Sequence, residues 1–241
     1  KQEKISEAIQ VFKDLPHESL EDSERAKISF WLGQFHEKLA LKEMAKDYYQ
    51  RASQHDPYGF YGLLGGSFAQ IDPPPFKQNL PRLKRLPHPE WLLYLKRPEL
   101  VRRYLNQNWE GFPNIQKKAG LYYYHRAEHY HDALIKYIRL GDRLNQREKE
   151  RLFPALYPYA WPKTLDKVSE QSGVSKGLLL SVMRQESAFD PKARSWADAF
   201  GLMQLTPERA EQLSKDHQIP YRRYTDLYEI ETNVRLGAEL L

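Results

Sequence analysis

One acidic side chain stands at the end of a helical apolar pattern, in a position suited to proton transfer. Ser175 is a favourable helix N-cap, and apolar residues then recur at helical spacing: Leu178, Leu179, Val182 and Met183. Glu186 follows Leu179 by seven residues and Val182 by four, which predicts that its carboxyl continues the same face. We therefore expect Glu186 to be shielded from water, to stay protonated and to act as a general acid. Pro191 disfavours a helical conformation at the residue before it, so the helix is predicted to end just beyond Glu186.

Cleavage of a glycosidic bond is a reaction that such an acid serves, and it usually needs a second carboxylate. The two carboxyls lie about 5 Å apart in retaining enzymes and roughly 6.5–9.5 Å apart in inverting enzymes. The candidates are Asp190, which precedes a proline and is expected to cap a turn, and Asp198, which nothing in the spacing directs toward Glu186. Spacing alone leaves a two-carboxylate hydrolase open. An isolated Glu near a helix end is also a common surface residue.

The residues around Glu186 carry a more specific signal. The string R-Q-E-S-A-F-D-P-K-A-R-S, followed by G-L-M-Q-L-T-P, resembles the catalytic signature of the soluble lytic murein transglycosylases. The string N-V-R-L-G-A-E-L-L at 233–241 resembles the next motif of that family, a helix beside the active site. Residues 157–161, Y-P-Y-A-W, resemble the segment that leads into its catalytic domain. The resemblance implies an all-α protein with a goose-type-lysozyme-like catalytic domain after a helical superhelix.

The resemblance also implies a mechanism with a single acid, no cofactor and no metal. The glutamate at the position of Glu186 protonates the oxygen between N-acetylmuramic acid and N-acetylglucosamine. As a carboxylate, it then accepts the proton of the muramoyl 6-hydroxyl while that oxygen attacks the anomeric carbon, which yields a 1,6-anhydro sugar. No water is consumed, and the substrate acetamido group takes the place of a second carboxylate. We expect the acid to be shielded by Phe189, Leu202 and Met203.

Three further residues match substrate-binding positions of the family: Ser187, Gln204 and Met203. A serine beside the acid implies a hydrogen bond near the cleavage site, and a glutamine amide can bind an acetamido sugar as donor and acceptor together. For Met203, core packing is an alternative to substrate contact. Gly201 predicts a close backbone approach at the start of this segment.

Two features depart from the family pattern. Asp198 stands where the family usually has glycine, although aspartate tolerates a left-handed backbone better than most residues. The tyrosine-bearing A-Y-N-A-G-type motif that completes the family's groove is absent from these residues. We therefore expect only about half of the catalytic domain here, and we infer the function of a longer protein more readily than the activity of this chain.

Composition limits the other classes of function. The 241 residues carry a net charge of +5 and contain no cysteine, which excludes disulfides and thiolate chemistry. A basic protein favours polyanionic partners, such as cell-wall peptide carboxylates. Basic and acidic residues are interspersed, so we expect no nucleic-acid partner. No apolar run is long enough for a membrane span.

The helical periodicity divides the chain into four segments. Residues 1–71 resemble tetratricopeptide-like hairpins of a superhelix, 72–89 form a proline-rich connector, 90–160 a helical linker domain and 161–241 the first part of the catalytic domain. We predict one helix from Leu121 to Leu140, on which His125 and His129 are four residues apart. This spacing can bind zinc, but no further ligand completes the set, and an aromatic-rich helix face is the favoured interpretation.

Three functions follow from these patterns. The first is a peptidoglycan lytic transglycosylase of the Gram-negative periplasm, with glycan strands as substrate and protein partners at its helical repeats. No signal-peptide pattern follows Lys1, so we expect a processed form or a piece of a longer protein. The second is a catalytically silent helical-repeat module in cell-wall metabolism. The third, which the interspersed charges disfavour, is a basic RNA-binding protein, whose affinity for RNA would fall steeply with salt.

Overall fold

The computed structural model describes residues 2–16, 19–72 and 78–241, and within them the chain forms thirteen α-helices. No β-strand occurs in these described ranges, apart from isolated bridges that join Phe200 to Arg194 and to Leu205. The all-α fold that the resemblance implied is therefore confirmed. The chain divides into two compact units, Lys1–Pro75 and Phe76–Leu241. The triple proline of the predicted connector, 73–75, lies outside the described residues.

The first unit contains α1 (Gln2–Lys13), α2 (Asp22–Lys38), α3 (Lys42–His55) and α4 (Phe60–Ala69). Helix α3 packs against both α2 and α4. Small residues allow this close packing, because a Cβ at Gly65 would lie 2.6 Å from the carbonyl oxygen of Tyr49. The rings of Phe30 and Tyr49 lie at the centre, 5.7 Å apart. Helices α1 to α4 thus lie in the segment, residues 1–71, whose pattern resembles helical hairpins.

The second unit begins with five helices: α5 (Pro87–Tyr94), α6 (Pro98–Asn108), α7 (Asn114–Arg126), α8 (Tyr130–Leu140) and α9 (Gln146–Leu152). Tyr123 and Tyr124 are fully buried in the core of this part. The hydroxyl of Tyr123 accepts a hydrogen bond from the Leu86 amide at 2.9 Å and donates to Glu90 at 2.7 Å. These tyrosines therefore pack the core and satisfy its polar groups.

The prediction of one helix from Leu121 to Leu140 is wrong. The helix is interrupted at residues 127–129, where Glu128 adopts a left-handed backbone with φ 60°. The amide of His129 donates to the carbonyl of Tyr124 at 2.9 Å, which closes the end of α7. His125 consequently lies on α7, whereas His129 is the N-cap of α8.

The second unit ends with α10 (Pro162–Ser172), α11 (Lys176–Ser187), α12 (Pro207–His217) and α13 (Ile230–Ala238). Helix α10 packs against α11 and α13 around a shared core that includes Leu165, Leu179, Met183 and Leu236. Gly173 ends α10 in the left-handed conformation with φ 76°, which glycine adopts without strain. Among the helices described here, none is both long enough and apolar enough to cross a membrane.

Candidate active site

Helix α11 carries Glu186 in its last turn and has the ends that the sequence predicted. The Ser175 hydroxyl accepts a hydrogen bond from the amide of Leu178 at 3.3 Å. The helix ends at Ser187, because Ala188 and Phe189 both adopt left-handed backbone conformations with φ 49° and 63°. The Phe189 side chain is buried, which holds this turn on the core.

Glu186 is exposed, so the expectation that its carboxyl is shielded is wrong. Three residues of α11 are buried, at intervals of four: Leu179, Met183 and Ser187. Four residues turn a helix by about 40° more than a full turn, so this buried stripe rotates along α11. By the last turn the stripe is centred on Ser187, and Glu186 stands about 100° away from it. Phe189, Leu202 and Met203 are buried among themselves and leave the carboxyl at the surface.

Ser187 links the end of α11 to the G-L-M-Q segment. Its hydroxyl lies 2.9 Å from the carbonyl oxygen of Met183 and 3.0 Å from that of Leu202, so its one proton is shared between two acceptors. Only 9% of the residue is exposed. The position next to Glu186 is therefore fixed relative to residues 201–205.

The segment from Ala193 to Leu205 folds back on itself beside α11. The amide of Gly201 donates to Ala193 at 2.9 Å, and the amides of Phe200 and Leu205 donate to each other's carbonyls at 2.9 and 3.2 Å. Gly201 has φ 75°, and a Cβ there would overlap the carbonyl oxygen of Leu227 and the side chain of Asn233. The predicted close approach at Gly201 is confirmed.

Asn233 on α13 holds this segment in place, a role that the sequence motif did not reveal. The side chain is fully buried, and its oxygen accepts a hydrogen bond from the Met203 amide at 2.7 Å. Its nitrogen donates to the carbonyls of Phe200 and Leu227, each at 2.9 Å. All three contacts join backbone groups of different segments, so Asn233 positions the G-L-M-Q turn against α13. The predicted helix at 233–241 is present as α13, and it lies beside this turn.

Gln204 and Met203 occupy different environments within the turn. Gln204 is half-buried with φ 49°, and its side-chain nitrogen donates to the carbonyl of Gly201 at 2.9 Å. Met203 is only 6% exposed, and a Cβ at Gly237 would lie 2.6 Å from its Cγ. Core packing is therefore the contact that the structure gives Met203.

The two other carboxylates of the region are engaged locally. Asp190 accepts a hydrogen bond from the amide of Lys192 at 2.9 Å, so the predicted turn cap is confirmed. Asp198 accepts from Nε and Nη2 of Arg194 at 2.9 and 2.7 Å and has φ 56°. The left-handed conformation that a glycine would provide is thus adopted by Asp198 itself.

The histidines considered as zinc ligands do not form a metal site. Nε2 of His125 is buried and has no hydrogen-bond partner, and burial lowers the pKa of His125 to about 4. The Nε2 of His129 lies 3.0 Å from the carbonyl of Pro98. Across the part of the chain that the structure describes, no group of three or more His, Cys, Asp or Glu residues could hold a metal ion.

Comparisons with known proteins agree with this architecture. The profile of the transglycosylase SLT domain family matches residues 163–241. A putative soluble lytic murein transglycosylase of Haemophilus influenzae is 36% identical over 81 residues, which are 34% of this chain and 14% of the relative. The soluble lytic murein transglycosylase of Salmonella typhimurium is 30% identical over 129 residues, 52% of this chain and 19% of the relative.

Among solved structures, the 70-kDa soluble lytic transglycosylase of Escherichia coli has a similar fold. It matches with a TM-score of 0.66 over 95% of this chain and 37% of its own, at 18% sequence identity. The resemblance to soluble lytic murein transglycosylases that the sequence indicated is therefore confirmed, and the domain match falls on residues 163–241. The matched regions span less than a fifth of the two curated relatives.

Proposed function

We propose that this protein is a lytic transglycosylase that cleaves the glycan strands of peptidoglycan, with Glu186 as its general acid and base. The observation that carries the proposal is the family match over residues 163–241, with Glu186 in the last turn of a helix tied to the G-L-M-Q turn. An exposed carboxyl is open to a polymeric substrate. A bound glycan strand would itself exclude water from this carboxyl.

In the proposed reaction, one carboxyl serves both proton transfers. Glu186 donates a proton to the bridging oxygen as the bond from the muramoyl anomeric carbon to that oxygen breaks. The resulting carboxylate accepts the proton of the muramoyl 6-hydroxyl, whose oxygen bonds to the anomeric carbon. The products are a 1,6-anhydromuramoyl end and a new N-acetylglucosamine end, and Glu186 is again protonated. The local engagement of Asp190 and Asp198 supports a mechanism without a second carboxylate.

The residues around Glu186 would position the substrate. Gln204 uses one N–H on Gly201, which leaves its carbonyl oxygen and second N–H for an acetamido group. Ser187 and Asn233 would fix the distance between Glu186 and Gln204 without touching the glycan. Met203 would support the floor of the site through its packing against Gly237.

The test compares two glutamate variants on purified peptidoglycan. Glu186→Gln is expected to abolish the release of anhydromuropeptides, measured by mass spectrometry, because glutamine cannot supply a proton. Glu170→Gln changes an exposed glutamate of α10 and is expected to keep the wild-type rate. Product release by Glu186→Gln at the wild-type rate would contradict the assignment. A wild-type protein that binds peptidoglycan without releasing product would indicate the silent binding module instead.

Because its relatives are murein transglycosylases, we further propose that the protein acts in the periplasm of a Gram-negative bacterium, where peptidoglycan lies. The first unit, with its hairpins of α2, α3 and α4, is the proposed surface for protein partners.

A further inference from the structure

A cavity of about 320 Å³ lies on the face of α11 opposite to Glu186. Gly177, Leu180, Ser181 and Arg184 contribute the helical side of the cavity, and their spacing places them on one face. Glu186 lies two residues beyond Arg184, about 200° around the helix axis. The cavity is therefore separate from the candidate active site, although both use the same helix.

The far wall of the cavity is aromatic and held in place by its own contacts. Tyr157, Pro158, Tyr159 and Phe189 contribute its apolar surface. The Tyr157 ring packs on Phe153, with centroids 4.7 Å apart. The Tyr159 hydroxyl donates to Asp166 at 3.0 Å. Walls that are already fixed lose little conformational freedom on binding, which favours affinity for a small ligand.

Arg184 provides a positive charge inside this apolar surface. Its guanidinium carbon lies 4.4 Å from the centre of the Tyr157 ring, and its Nε donates to the carbonyl of Leu156 at 3.2 Å. Within the described part of the chain, no carboxylate forms an ion pair with Arg184. Its remaining N–H groups can bind a carboxylate in the forked geometry that guanidinium favours.

We propose that this cavity, which we call the α11 pocket, binds a small carboxylate with a flat apolar body. The aromatic wall would contact the apolar body, and Arg184 would pair with the carboxylate. The volume is at the lower end of the range for small-molecule sites, which limits the ligand to about the size of one fused ring pair. This proposal does not depend on the murein activity, because its test measures binding alone.

The test uses naphthoate as the probe and its neutral analogue naphthalenemethanol as the comparison. In a titration of the whole chain followed by amide NMR shifts, naphthoate is expected to saturate and to shift the signals of Gly177 and Ser181. The neutral analogue is expected to bind at least about tenfold more weakly, because a charge-assisted hydrogen bond is lost. Equal binding of the two probes would overturn the proposed role of Arg184.

Two variants test the pocket, and a third controls for charge. Arg184→Gln is expected to weaken naphthoate binding by at least about tenfold, whereas Arg139→Gln removes an exposed arginine of α8 and should leave it unchanged. Gly177→Phe keeps Arg184 and fills the cavity, since a Cβ at Gly177 meets no atom within 4 Å. It should abolish binding. Naphthoate binding that persists in folded Gly177→Phe, or is absent from the wild type, would refute the α11 pocket.

Discussion

Replacement of Asn233 by leucine tests whether this side chain holds the candidate active site together. The substitution keeps the approximate size of the side chain and removes three hydrogen bonds, to the Met203 amide and to the carbonyls of Phe200 and Leu227. Asn233 is fully buried, so these backbone groups would lose its bonds without access to water, although the Phe200 carbonyl keeps the hydrogen bond from the Leu205 amide. An unsatisfied buried polar group costs about 1–3 kcal/mol.

The losses at the Met203 amide and the Leu227 carbonyl, reduced by local relaxation, predict that Asn233→Leu lowers the free energy of unfolding by about 2–5 kcal/mol. Urea unfolding followed by tryptophan fluorescence measures this change, since Trp109 and Trp161 are buried in the second unit. The control is Asn108→Ala, which removes the bond of an exposed asparagine to Tyr104. We expect it to cost less than about 1 kcal/mol. A loss of under about 1 kcal/mol for Asn233→Leu would refute the positioning role.

Four further substitutions test the local physical arguments. Gly201→Ala and Gly173→Ala both force a left-handed alanine, with φ 75° and 76°, but only at Gly201 would the Cβ overlap other atoms. By urea unfolding, Gly173→Ala should lower the free energy of unfolding by about 1–2 kcal/mol, and Gly201→Ala should lower it by clearly more. Equal losses would contradict the close approach at Gly201. Asp198→Gly should change stability by less than about 1 kcal/mol, because glycine suits φ 56° while the ion pair lost is exposed. Burial lowers the pKa of His125 to about 4, so the unfolded chain binds more protons between about pH 4 and 6.5. The stability that the neutral His125 side chain contributes to the folded state is therefore complete above about pH 6.5. It is lost as the pH falls toward 4, by at most about 3 kcal/mol of unfolding free energy. Urea unfolding at several pH values measures this change. Between about pH 6.5 and 4, the free energy of unfolding should fall less in His125→Phe than in the wild type, and an equal fall would contradict the burial of a neutral imidazole.

The ends of α11 could be predicted because local residues determine them. Ser175 caps the first turn through its own hydroxyl, and Asp190 closes the loop before Pro191 with a bond to the Lys192 amide. Gly201 was also predictable, since close approach and positive φ both favour the residue without a Cβ.

The exposure of Glu186 and the interruption at Glu128 could not be predicted in the same way. Whether Glu186 is buried depends on the rotation of the buried stripe along α11, which is set by the segments packed against Ser187. At Glu128 the chain turns without glycine or proline, because tertiary packing of α7 and α8 outweighs local preference. The role of Asn233 likewise requires the turn that holds Phe200 and Met203 to meet a helix that lies 30 or more residues further along the chain.

The fate of water in the reaction tests the central claim most directly. The whole protein would be incubated with purified peptidoglycan in water enriched in heavy oxygen, and the released muropeptides analysed by mass spectrometry. If Glu186 serves the muramoyl 6-hydroxyl as nucleophile, the products carry anhydro ends and no heavy oxygen. Heavy oxygen at the newly formed muramoyl ends would show that water attacks the anomeric carbon, and would contradict the account.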